Sequence, residues 1–129
     1  MDYHMTLLEE DFANGLPENW LCVDCRVNTG PGMLTATDVK VMMAAAGGMW
    51  PKQNPIMTIN DQSEIYHVRK AVWQKAGMEP FGGCICIGCL EKRLGRELKP
   101  KDFQRDHPFN LPNIPGTPRL LKRRKAHTR

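Results

Sequence analysis

Residues 84–95 read Cys84-Ile85-Cys86-Ile87-Gly88-Cys89-Leu90-Glu91-Lys92-Arg93-Leu94-Gly95, and this stretch decides the fold. Its first half alternates like extended chain, the run after Gly88 is helix-forming, and Gly95 is a C-terminal stop. Two residues between Cys86 and Cys89 let a tight turn aim both sulfurs at one ion. A helix start suits such a pair, because free backbone amides and the positive end of the helix dipole stabilise thiolates.

Toward the N-terminus stands a second doublet, Cys22-Val23-Asp24-Cys25, bracketed by Trp20, Leu21 and Val23 and followed by the turn-rich Asn28-Thr29-Gly30-Pro31-Gly32. Two doublets supply the four ligands of a closed tetrahedral site, so Cys22, Cys25, Cys86 and Cys89 are expected to hold one structural Zn2+. Disulfides are the competing use. The cysteines number five, an odd count. The first 25 residues lack a basic start followed by an apolar stretch, and no run approaches the roughly 18 to 20 apolar residues a membrane span needs. A cytoplasmic protein without a membrane anchor is expected, and there such doublets serve metals more than disulfides. Strand alternation puts Cys84 on the side of Cys86, as a stand-in ligand or, the expected reading, a small buried hydrophobe. Four thiolates around Zn2+ leave the centre at minus two, which Arg26, Lys92 and Arg93 are near enough in sequence to offset.

A knuckle doublet early and a doublet opening a late helix form the layout of a treble-clef zinc finger, here with residues 26–85 in between. Thr6 and Glu9 form a capping-box pattern and predict a short helix over 6–14. Thr35 or Thr37 caps a helix through Val39, Met42 and Met43 to Ala46, stopped by Gly47 and Gly48. Residues 56–59 predict a short strand. Asp61, with Glu64 at the third helical position, opens the clearest helix, on which Ile65, Val68, Val72 and Ala76 share one narrow arc and which Gly77 ends. On that helix His67 faces solvent, and Arg69 must snorkel or find an acid. A turn is expected at Lys101 to Gln104. Beyond Asp106, Pro108, Pro112, Pro115, Gly116 and Pro118 argue against packed structure. The expected fold is therefore a small, mostly helical α+β, zinc-stabilised treble-clef-like domain with inserted helices over 1–104, and an extended or disordered Pro-rich basic tail over 105–129.

Charge is unevenly spread. Residues 1–25 carry Asp2, Glu9, Glu10, Asp11, Glu18 and Asp24 with no Lys or Arg, whereas 119–129 carry Arg119, Lys122, Arg123, Arg124, Lys125 and Arg129 with no acid. The net +4 of the chain thus resides in its end. Such a tail attracts nucleic acid by neutralising phosphates and releasing counterions, or it is a solvated segment that keeps the protein soluble. The candidate nucleic-acid contacts are Arg119, Lys122, Arg123, Arg124 and Lys125 on the tail and Lys92, Arg93 and Arg96 near the second doublet, where Lys99 and Lys101 add charge and Glu91 and Glu97 dilute it.

Val72-Trp73, Ala76-Gly77-Met78, Gly82-Gly83, Cys86-Ile87-Gly88-Cys89-Leu90-Glu91, Arg93-Leu94-Gly95-Arg96 and Asp102-Phe103 together resemble a family of small uncharacterised zinc-finger-like proteins of proteobacteria and their phages. The match spans roughly residues 58–104, and the segment from Trp20 to Gly32 is similar too. The resemblance implies no particular reaction. It leads us to expect an aromatic or aliphatic residue where Cys84 stands, which puts Cys84 outside the metal site.

Three functions are in view. The leading one is a zinc-stabilised binding module, phage or mobile-element associated, that contacts nucleic acid through its basic helix and tail. A second is a protein-binding module or host-factor inhibitor that uses the acidic N-terminal region to approach a basic surface. A third is a metal-dependent nuclease of the His-Asn-His type on a treble-clef scaffold, with a second metal held by some of Asp61, Glu64, His67 and His107. Four cysteines close the coordination sphere, so hydrolysis at the zinc itself is not expected.

Overall fold

In the computed structural model, which describes residues 2–80 and 82–125, two short strands tie the start of the chain to its middle. β1 (Tyr3–Thr6) pairs antiparallel with β2 (Ile56–Ile59), in a register running from Tyr3 opposite Ile59 to Thr6 opposite Ile56. Met57 and Ile59 of β2 are buried while Ile56 faces out, the period-two pattern of a half-buried strand. β2 lies where the sequence predicts it.

The helix expected over 6–14 is shorter, because Thr6 is used by the sheet and cannot cap it. α1 (Glu9–Ala13) starts after Leu8, whose amide donates to the Asp11 carboxylate at 3.0 Å. α2 (Ala36–Ala45) forms as predicted, with a reciprocal capping box. Thr35 Oγ1 accepts from the Asp38 amide at 3.1 Å, and the Asp38 carboxylate accepts from the Thr35 amide at 2.9 Å. Gly47, at φ 75°, takes the left-handed conformation that ends it.

The largest departure is at 61–69. No helix forms there; α3 covers only Lys70–Lys75. Ser63, Glu64 and Ile65 are all buried, and no single helical face can bury three consecutive residues. The segment's backbone bonds sideways instead. The Glu64 amide donates to Thr29 O, Ser63 O accepts from the Thr117 amide, the Gln104 amide donates to His67 O, and the Arg69 amide donates to Asp102 O. Asn60, whose Oδ1 accepts from the Gln62 amide, sets a local turn in place of the helix cap expected at Asp61. These tertiary bonds satisfy the groups that a helix would have paired.

Residues 105–125 correct the extended or disordered tail expected there. This segment packs on the rest of the chain and ends in α5 (Pro118–Arg124), capped by Thr117, whose Oγ1 accepts from the Leu120 amide. Leu120 is fully buried, and Asn110 holds His67 by accepting from its amide and donating to its carbonyl. The prolines suit short turns and a helix start, since Pro118 is the first residue of α5, where a missing N–H costs nothing. Arg129 lies outside the described residues.

Two cores result. One gathers Cys22, Val68, Ile85, Cys86, Ile87, Leu90, Leu98, Phe103 and Leu120; the other gathers Leu7, Met33, Val39, Met57, Ile59, Ile65 and Ile114. Segment 63–68 runs through both. Gly32 allows the close approach of two backbones in the second: a Cβ there would lie 2.5 Å from Thr58 O. Among the described residues the fold is mixed α+β, with five helices and a two-stranded sheet.

Candidate metal centre

The knuckle at Cys22–Cys25 is closed by its own backbone. The Cys22 amide donates to Val27 O at 2.7 Å, the Arg26 amide donates to Cys22 O at 2.9 Å, and Arg26 sits at φ 68°, the left-handed conformation that completes the reversal. This turn aims the Cys25 amide at Cys22 Sγ, 3.5 Å away. The second doublet arrives beside it because Cys22 and Cys84 bridge in parallel, with the Val23 amide on Cys84 O at 2.9 Å. α4 (Ile87–Leu94) then begins, with Cys86 as its N-cap and Cys89 in its first turn, and ends at Gly95 at φ 74° as predicted.

The sulfurs of Cys22, Cys25, Cys86 and Cys89 lie within 4.8 Å of one another. Zn–S bonds of about 2.3 Å in a tetrahedron set neighbouring sulfurs about 3.8 Å apart. The Cys25 and Cys86 sulfurs are 3.8 Å apart, far beyond a disulfide's roughly 2.05 Å. The donor set therefore fits a tetrathiolate metal. Cys84 is not in the group. Its backbone bridges the two doublets, and burial pushes its thiol up.

The charges agree with this. Burial works to raise the Cys22 thiol, but the amides of Cys25, Cys86 and Asp24 aimed at its sulfur outweigh burial and hold it at about 6. Burial and the three neighbouring sulfurs push Cys89 up to about 12. Four thiols this close ionise together only around a cation.

Two arginines stand by the cluster. Arg93, expected there, clasps Asp24 inside the knuckle at 2.7 and 2.9 Å and so ties α4 to the first doublet. Arg119, nominated only as a tail contact, lies beside Cys86 and against Gly88, where an added Cβ would come within 2.7 Å of its Nη1. It also makes a two-pronged pair with buried Glu64, at 2.6 and 3.0 Å. Glu64 further accepts from Thr117 Oγ1 at 2.6 Å and from the Ile87 amide at 2.8 Å, at the mouth of α4. Burial would raise its carboxyl; Arg119, Thr117 and Ile87 outweigh that and hold it below the ordinary range. Local sequence marks Glu64 as a capping residue, but the helix whose start it holds is α4 and not one of its own. For Arg119 no sequence signal at the cluster exists.

Most of the residues nominated for nucleic acid are used internally. Arg93 pairs with Asp24, Arg96 with Asp102, Arg119 with Glu64, and Arg123 with Glu91 and Glu97. Arg124 donates to the carbonyls of Phe109 and Ile114. Lys92, Lys122 and Lys125 are exposed and make no ion pair among the described residues. The second metal set does not assemble: among the described residues the cysteines form the one metal-ligand grouping, and Glu64 is occupied. His67 and His107 do meet, but as stacked rings 4.3 Å apart.

Fold and site together define a mixed α+β chain organised around a four-cysteine cluster able to hold a metal ion. No protein-family model, curated protein or solved structure matches it. No helix among the described residues is long and apolar enough to cross a membrane.

Proposed function

We propose that the protein is a zinc-stabilised binding module of the treble-clef kind, carried by phage or mobile elements as the family resemblance implies, and that its partner is nucleic acid. The observation that carries the metal part of the reading is the convergence of four sulfurs within 4.8 Å. When bound there, Zn2+ supplies a cross-link between segments that are remote in the chain, and four protein thiolates leave it no open position for substrate. The chain's own residues then do the rest. Arg93 and Arg119 offset the thiolate charge, Glu64 holds the N-terminus of α4, and the cations left outside internal pairs give the surface its affinity for phosphate.

Native mass spectrometry with and without chelator tests the metal: one zinc per chain is expected. Cys86→Ser should abolish zinc binding, whereas Cys84→Ser should keep it. The reverse result defeats the ligand assignment.

A second reading, binding of a basic protein, draws on a specific feature of the N-terminal half. Val41 of α2 is 64% exposed and Met49 beyond it 71%, while Glu9, Glu10 and Asp11 are exposed and make no ion pair among the described residues. Under the nucleic-acid reading, Glu9→Lys/Glu10→Lys leaves oligonucleotide affinity the same or higher; under the protein reading the zinc-loaded chain binds no oligonucleotide at low salt.

A further inference from the structure

Where α5, the turn at Pro100–Asp102 and the start of α3 meet, the surface holds a cleft of about 1130 Å³. Its cationic lining is Arg69, Lys101, Arg105, Arg124 and Lys125; no acidic side chain lines it among the described residues, and Phe103 and Leu121 add apolar lining. None of these five cations makes an ion pair among the described residues. The contrast with the rest of the molecule is informative, because Arg93, Arg96, Arg119 and Arg123 each have a carboxylate. Five like charges gathered around one recess leave a positive field focused on it, which favours an anionic occupant.

The shape selects among anions. The cleft exceeds the roughly 300 to 1000 Å³ of small-ligand pockets, so a chain fills it better than a single small anion. Proteins read duplex DNA by an element that projects into a groove, whereas this surface is recessed. Cations and apolar side chains lining one recess suit a single strand, its phosphates on the cations and its bases against the rest of the lining. Phe103 is only 5% exposed, so it offers an edge and not a stacking plane. Base contact then falls to the Arg69 and Arg105 guanidinium planes, which stack without regard to sequence.

We infer that this cleft is a binding site for single-stranded nucleic acid, engaged mainly through the phosphates and with little sequence preference. The inference rests on the nucleic-acid reading above and places it at one site. The three exposed cations Arg69, Lys101 and Arg105 can be changed without breaking an ion pair among the described residues.

The test is fluorescence anisotropy of zinc-loaded protein with labelled oligothymidylate, oligouridylate, a DNA duplex and polyglutamate across a salt series. Zinc content and thermal unfolding serve as controls for the variant Arg69→Ala/Lys101→Ala/Arg105→Ala. Both single strands are expected to bind more tightly than the duplex. The triple variant should bind them on the order of tenfold or more weakly, with the slope of log K against log salt reduced by about 2, at about 0.7 for each phosphate no longer neutralised. Lys92→Ala/Lys122→Ala should weaken binding far less. If that second variant loses affinity and the first does not, the cleft is the wrong site while the nucleic-acid reading stands. If the wild type binds no oligonucleotide at low salt, both fall. Preference for the duplex or for polyglutamate also overturns the inference.

Discussion

Glu64 shows how far a residue's role depends on what surrounds it. Its carboxylate is buried and accepts from Arg119, Thr117 and the Ile87 amide, so it clamps the C-terminal segment to the first turn of the cysteine-bearing helix. Arg119→Ala leaves that carboxylate buried with two of its three partners, which should cost about 1–3 kcal/mol in denaturant unfolding. Arg119→Lys should recover little of this, since a lysine cannot make the two-pronged contact. Gly88→Ala, which drives a Cβ to 2.7 Å from the same guanidinium, should weaken the clamp as well. The folded carboxyl titrates below its ordinary value of 4.5, so its contribution is whole above that pH and drains away as pH falls through the lower, folded value. The stability gap between wild type and Glu64→Gln should therefore be widest near neutrality and narrow on acidification, measured as paired denaturant midpoints. The four clustered cysteines are legible in the sequence because the Cys-x-x-Cys turn is local. Arg119 is not, because its place beside Cys86 depends on where α5 packs.

At the scale of elements, the strand at 56–59, α2 and α4 form where local chemistry puts them, since each carries its own start or stop signal. Segment 61–69 does not. The spacing of Ile65, Val68, Val72 and Ala76 matches a helix, yet burial of Ser63 and Glu64 beside Ile65 requires an environment on more than one side. Hydrogen bonds to Thr29, Asp102, Gln104 and Thr117 then replace the helical ladder, an example of tertiary contacts overriding a weak local preference. Amide exchange separates the two conformations: the amides of Glu64, His67 and Arg69 should be protected through their long-range bonds to Thr29 O, Asn110 Oδ1 and Asp102 O, and a chain shortened to end at Gln104 should lose protection at His67 while a helix would keep it. α5 makes the matching point for the expected tail. Leu120→Ala should cost about 2–5 kcal/mol because Leu120 is fully buried, whereas in a disordered arm the change would be silent in thermal or denaturant melts.

For the molecule as a whole, the four-cysteine cluster and the C-terminal segment meet in the same core, which includes Cys22, Cys86, Leu90 and Leu120. Structural zinc contributes about 10–16 kcal/mol in small domains, comparable with the roughly 5–15 kcal/mol of total stability usual for a folded protein. Chelation should consequently unfold this core and expose Leu120 and α5 together, read as joint loss of circular dichroism and amide protection. Acid should do the same as thiolates take up protons. Charge follows a similar division. The excess of basic residues at the end of the chain is plain in the sequence, but folding matches Arg119 and Arg123 with acids and, among the described residues, leaves Arg69, Lys101 and Arg105 without an ion pair around a cleft. The sequence by itself determined the two cysteine doublets, the helix that the second one opens and the net charge, because these depend on neighbours a few residues apart or on none at all. The course of residues 61–69, the docking of α5 and the identity of the unpaired cations were decided only by tertiary structure, because burial and pairing are properties of segments that meet from opposite ends of the chain.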